Sequence, residues 1–91
     1  MVITEVRVHP LRGVGRIRAL ASVTLDSEFV IHDLRIIEGD NGLFVAMPAR
    51  RNASGDYYDV AHPITAEARA QLQSAVLEAF ERTVAAEAPA S

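Results

Sequence analysis

Chemistry in this sequence would have to come from imidazoles, carboxylates and guanidinium groups, because it contains no cysteine. That absence removes disulfides, thiolate metal sites and cysteine nucleophiles, and it fits a reducing cytosol. The three histidines stand at positions 9, 32 and 62. No two are three or four residues apart, so no helix face presents a pair of metal ligands, and no metal site is expected. His32-Asp33 is the one adjacent imidazole–carboxylate pair. In a regular strand such neighbours point to opposite faces and cannot serve one reacting atom, so His32 reads as structural and Asp33 as a paired carboxylate. His9 and His62 each precede a proline, which suits hydrogen bonding at turns better than proton transfer. Asp40, Asp56 and Asp59 lack the spacing of a calcium loop. The G-x-G at Gly13 and Gly15 is followed by no helix that would present amides to a phosphate. No catalytic residue and no cofactor is expected, and the chain reads as non-enzymatic.

Arginine is the remaining signal. All nine basic residues are arginine, a side chain that makes bidentate contacts to phosphate and carboxylate. Arg12, Arg16 and Arg18 occur with no acid between them, Arg50-Arg51 follow Pro48 on a polar stretch, and Arg69 lies just past the first turn of a C-terminal helix. If that stretch and the helix start meet in space, Arg50, Arg51 and Arg69 make a small cationic patch suited to phosphate contact. The competing reading is a set of solvated arginines balanced by neighbouring acids, and composition alone favours it. Base stacking would further require Tyr57 and Tyr58 to be exposed; one of the two is expected to be buried.

The elements that would position these groups follow from periodicity. Residues 2–8 alternate, with Val2, Thr4, Val6 and Val8 on one side and Ile3, Glu5 and Arg7 on the other, which predicts a strand closed by His9-Pro10. Residues 16–26 alternate again, with Ile17, Ala19, Ala21, Val23 and Leu25 on one face. Residues 29–38 form a third strand, apolar on both sides, with Val30, His32, Leu34 and Ile36 sharing a face; such a pattern marks a central position. Asn41-Gly42 predicts a hairpin turn at positive φ, leading to a fourth strand over 43–46. Residues 49–55 are polar and read as a loop, and residues 56–61 read as a short fifth strand. Residues 65–87 are helical, with Thr65 as N-cap, Glu67 in the first turn, and Leu72, Val76, Ala79, Phe80 and Thr83 in one stripe. Glu78 and Arg82 are spaced for an i, i+4 ion pair.

Strands followed by a helix define an α+β fold, an antiparallel sheet of about five strands with the C-terminal helix packed on it. Ninety-one residues suffice for one core, so residues 1–85 are read as one domain and 86–91 as a fraying tail. One helix leaves sheet edges and much of one face uncovered, which points to a homodimer joined through a sheet edge or the open face. No apolar run approaches the roughly 18 residues of a membrane span, and no basic stretch with a following apolar segment opens the chain, so neither a membrane nor a secretory route is expected. The net charge is −3, which argues against a uniformly basic nucleic-acid surface. The distribution is uneven: residues 1–55 hold seven arginines against six acids, net +1, and residues 56–91 hold two against six, net −4. Any basic surface must therefore be local.

Four ordered blocks, Arg18–Asp26, Phe29–Ile37, Asn41–Pro48 and Asp59–Ile64, resemble the SpoVG family, named for stage V sporulation protein G and also called septation proteins. The resemblance runs over residues 1–82, nearly the whole chain. It implies a small dimeric α+β domain acting as a bacterial cytoplasmic regulator of division septum formation and, in spore formers, of sporulation. It further implies DNA binding, RNA binding in some members, and no enzymatic activity. The family's basic pair after the Met-Pro turn corresponds to Arg50 and Arg51, and its arginine near the start of the last helix corresponds to Arg69. The sequence departs from the family where Glu67 and Gln71 flank Arg69 in an acidic helix, which implies either weaker nucleic-acid affinity or affinity that rests on the loop. His32 and His62 match family blocks as structural residues. Two functions lead, a dimeric nucleic-acid-binding regulator and a protein-interaction module in septation control without direct nucleic-acid contact; an enzyme is a distant third, which a well-formed pocket gathering His32 or His62 with a carboxylate would revive.

Overall fold

The computed structural model describes residues 1–13 and 15–87 of the chain. The elements are β1 (Ile3–Pro10), β2 (Ile17–Leu25), β3 (Phe29–Gly39), β4 (Gly42–Ala46), β5 (Ala49–Arg51), β6 (Tyr57–Asp59) and α1 (Ala66–Glu87). The first four strands form an antiparallel meander in the order β1-β2-β3-β4, and β5 and β6 form a separate two-stranded ribbon. The α+β class is as expected. The single five-stranded sheet is not: the expected fifth strand pairs instead with part of the stretch read as a loop, so Arg50 and Arg51 lie on a strand.

Helix α1 packs on β1, β2 and β4. Ala19, Ala21 and Val23 of β2, Leu34 and Ile36 of β3, and Val45 and Met47 are buried against Leu72, Val76 and Phe80. The small alanines of β2 let the helix approach closely, while Leu34, Ile36, Val23 and Val76 are the largest fully buried side chains. The helix starts as its sequence dictates, with the Ala68 amide donating to Thr65 Oγ1 at 3.0 Å. Thr83 is partly buried, its hydroxyl donating to the Ala79 carbonyl. The helix continues through Glu87, so residues 86 and 87, assigned above to the tail, are helical; the expected fraying from residue 88 lies outside the described residues. Among the described residues, Glu78 and Arg82 form no ion pair, as their exposure to water permits.

Register shifts at three places, one of them between Ile17 and Ala19 at the start of β2, and the other two overturn the simple alternation. In β1 the register shifts between Ile3 and Glu5. Ile3 thereby joins Val6 and Val8 against the core, and Thr4 is released to bind the β2–β3 turn, where its Oγ1 accepts from the Ser27 amide at 2.9 Å. In β3 the register steps from Leu34 opposite Ala21 to Ile31 opposite Val23. His32 and Asp33 together oppose Ser22, and Ile31 joins Leu34 and Ile36 on the core side. Asp33 pays for this with φ of 66°, a left-handed conformation that aspartate tolerates better than most residues.

The turns also differ in detail. Asp26 and Ser27 both have positive φ, at 51° and 56°, and the Glu28 amide donates to the Leu25 carbonyl, so the tight primed-type geometry sits between β2 and β3. In the β3–β4 hairpin, Gly39 pairs with Gly42. Positive φ falls there on Gly42, at 117°, and not on Asn41.

Candidate nucleic-acid interface

Ion pairing divides the arginines into two groups. Arg7 bonds Glu5, Arg12 lies 3.9 Å from Glu87, Arg16 pairs with Asp40 and Arg18 with Glu38. The last two are consequences of sheet register, because β2 places Arg16 and Arg18 beside the end of β3, where the Glu38 amide also bonds the Arg16 carbonyl. Arg35 is half-buried and donates to the Met47 carbonyl at 3.0 Å, fixing the path by which the chain leaves β4 for the ribbon. The reading of balanced, solvated arginines thus holds for Arg12, Arg16 and Arg18. Among the described residues, Arg50, Arg51 and Arg69 have no carboxylate partner, and all three are exposed.

The ribbon that carries Arg50 and Arg51 is ordered by its own backbone and by one asparagine. At its base the Val60 amide donates to the Pro48 carbonyl at 2.7 Å. At its tip Asn52 Oδ1 accepts from the amides of Ser54 and Asp56, at 2.9 and 3.0 Å, and the Asn52 amide donates to the Asp56 carbonyl. Gly55 has φ of 89°, and a Cβ there would sit 3.3 Å from Arg51 Nη2. The positive φ calls for glycine, whereas the guanidinium, the free end of an exposed side chain, could give way to a Cβ. Polar composition read as a loop because asparagine, serine and glycine are turn formers; here they close a hairpin.

Register gives each face of the ribbon one arginine and one tyrosine. Arg50 opposes Tyr58 and Arg51 opposes Tyr57, and directly opposed residues share a face. The Arg51 guanidinium lies 6.0 Å from the centroid of the Tyr57 ring, within cation–π range. The expectation that one tyrosine is buried is wrong: Tyr57 is 72% and Tyr58 50% exposed. Among the described residues no layer covers the two-stranded ribbon on either side, so alternation hides neither ring.

Arg69 lies on a different element, the first turn of α1. Its amide makes the first helical bond, to the Thr65 carbonyl, placing a cation near the positive end of the helix dipole where it adds no stability. No hydrogen bond or ion pair among the described residues links it to the ribbon. Arg50 and Arg51 are neighbours on β5 that point to opposite faces of the ribbon, and Arg69 is an exposed cation on α1.

The β3 bulge changes the standing of His32 and Asp33. Both residues line a depression of about 260 Å³ on the open sheet face with Arg7, His9, Leu20 and Ser22. Both also line a groove of about 470 Å³ with Phe29, Val30, Arg50 and Val60. Their separation to opposite faces, derived from strict alternation, therefore fails, and only the backbone could reveal that. His62 behaves as a turn residue, with Nδ1–H donating to the Pro63 carbonyl at 3.0 Å. Among the described residues no three histidine or acidic side chains are grouped to hold a metal ion, and no helix is long and apolar enough to cross a membrane.

Comparison with known proteins extends the pattern beyond single motifs. A protein of Desulforudis audaxviator, named as the septation protein SpoVG, is 55% identical over 87 residues, covering 96% of this chain and 99% of the relative. A Listeria monocytogenes protein, named as the septation protein SpoVG 2, is 51% identical over 90 residues, covering 99% of this chain and 88% of its own. One from Clostridium beijerinckii is 48% identical over 87 residues, covering 96% of each. The SpoVG family model matches residues 1–82, a span that takes in the meander, the arginine ribbon and most of α1. A likeness that covers every element positioning the free arginines makes this chain a member of the SpoVG family.

Proposed function

We propose that this chain is a non-enzymatic cytoplasmic regulator of division septum formation, and of sporulation where it occurs, that acts by binding DNA or RNA as a homodimer. The observation that carries the nucleic-acid reading is the pairing contrast: among the described residues Arg50 and Arg51 project from an exposed ribbon without carboxylate partners, whereas Arg12, Arg16 and Arg18 lie within ion-pair distance of an acid. Arg69 is a third contact on the same reading. The septation role comes from the relatives' names. On a chain of net charge −3, affinity must come from this local basic element, so it must be sensitive to salt and to the loss of two side chains. An anisotropy titration of wild type and R50A/R51A against duplex DNA, single-stranded DNA and RNA tests it. Weaker binding of the variant on all three supports the reading, and unchanged affinity removes it.

A second reading is favoured by a specific surface. β4 covers β3 only from Arg35 to Gly39, leaving the outer edge of residues 29–33 beside the groove lined by Phe29, Val30 and Val60. Unpaired edges of this kind accept another strand, either from a second copy or from a protein partner in septation control. Light scattering reads the first case, since a mass near 9.9 kDa at micromolar concentration excludes the homodimer. Capture of the same protein partner with and without nuclease treatment separates protein-mediated from nucleic-acid-mediated association.

A further inference from the structure

We propose that Tyr57 and Tyr58 are base-stacking residues, one on each face of the β5–β6 ribbon, and that the preferred ligand is therefore single-stranded nucleic acid; this rests on the nucleic-acid reading above. Both rings are exposed, and each shares its face with an arginine that has no carboxylate partner among the described residues. Neither Asp56 nor Asp59, the acids of the same ribbon, forms an ion pair with those arginines. The composition of each face is what a nucleotide requires: an aromatic plane for the base and a guanidinium for the adjoining phosphate.

Geometry then selects the strandedness. Bases inside a duplex are paired and stacked on one another at a rise of about 3.4 Å, and their faces are closed to a protein ring. A sheet layer occupies about 10 Å, so a ribbon with rings on opposite faces must engage two bases that are already separated. Unpaired bases meet that condition, because they splay onto aromatic side chains without the cost of opening a duplex. The Asn52 cap orders the tip of the ribbon, and the Arg51 guanidinium lies over the Tyr57 ring, 6.0 Å from its centroid, so it must swing aside for a base to stack on that face.

The test uses fluorescence anisotropy at one low salt concentration, with a labelled oligonucleotide of mixed sequence as RNA, as single-stranded DNA and as DNA duplex. Wild type should bind the single strands more tightly than the duplex. Y57A and Y58A should each weaken single-strand binding by about 5- to 150-fold while duplex binding changes little, and Y57F and Y58F should retain wild-type affinity because the ring face survives. Both rings lie outside the core, and an unchanged helical circular dichroism signal verifies that the variants fold. If Y57A and Y58A bind single strands as wild type does while R50A/R51A does not, the stacking platform is refuted and the cationic reading stands. Wild-type preference for duplex overturns the platform too. If R50A/R51A also binds normally, both fall.

Discussion

Removing Arg50 and Arg51 together should flatten the salt dependence of binding by a calculable amount, and removing Arg16 and Arg18 together should not. Each arginine that contacts a phosphate releases about 0.9 counterion from duplex DNA and about 0.7 from a single strand. Two contacts therefore account for about 1.8 units of the slope of log K against log salt on duplex, and about 1.4 on single strands. Across a fourfold rise in salt, from about 50 to about 200 mM, the wild-type advantage over R50A/R51A should shrink about 12-fold on duplex and about 7-fold on single strands. Arg16 and Arg18 carry the same charge and are likewise exposed, but Asp40 and Glu38 already pair with them. Their loss changes the net charge equally while removing no phosphate contact. Anisotropy titrations at four or more salt concentrations, run in parallel on the two double variants, separate local contact from net charge. Equal slope changes in both variants, or a change below about half a unit in R50A/R51A, would refute the assignment of phosphate contact to the ribbon.

Three further outcomes bear on the fold that positions the ribbon. Leu34→Ala empties a fully buried site between β3 and the helix and should cost about 2–5 kcal/mol by urea denaturation; a loss below about 1 kcal/mol would contradict its central place. Thr65→Ala removes the hydroxyl that accepts from the Ala68 amide and should cost about 1 kcal/mol with nucleic-acid affinity unchanged, as stability and titration measurements together will register. Asp33 holds a positive φ at the bulge, so Asp33→Gly should be neutral or stabilising and Asp33→Ala should cost about 1 kcal/mol; the opposite order in thermal denaturation would show that the carboxylate, not the backbone, is what the site needs.

Part of this architecture was readable along the chain. Alternation over residues 16–26 and the helical stripe from Leu72 to Thr83 depend on neighbours a few positions away, and both elements form where periodicity places them. The Thr65 cap is equally local. The failures share one cause. Thr4-Glu5 and His32-Asp33 look like ordinary strand residues, and nothing in their types announces that the partner strand is one residue short opposite them. A bulge belongs to a pair of strands, so a single strand does not display it. The polar run from Ala49 to Gly55 carries turn signals that fit a loop and a closed hairpin equally well; pairing with Tyr57 to Asp59 decides between them.

The candidate interface shows the same division. Composition determined that any basic surface had to be small and made of arginine, and residue order placed Arg50 and Arg51 side by side with two tyrosines close behind. Which arginines remain free was decided in three dimensions, because Glu38 and Asp40 reach Arg18 and Arg16 only after β2 and β3 pair. Exposure of both tyrosines was likewise settled by the absence, among the described residues, of a covering layer over the ribbon. Charge and ring are properties of a residue, whereas pairing and burial are properties of what the folded chain brings beside it.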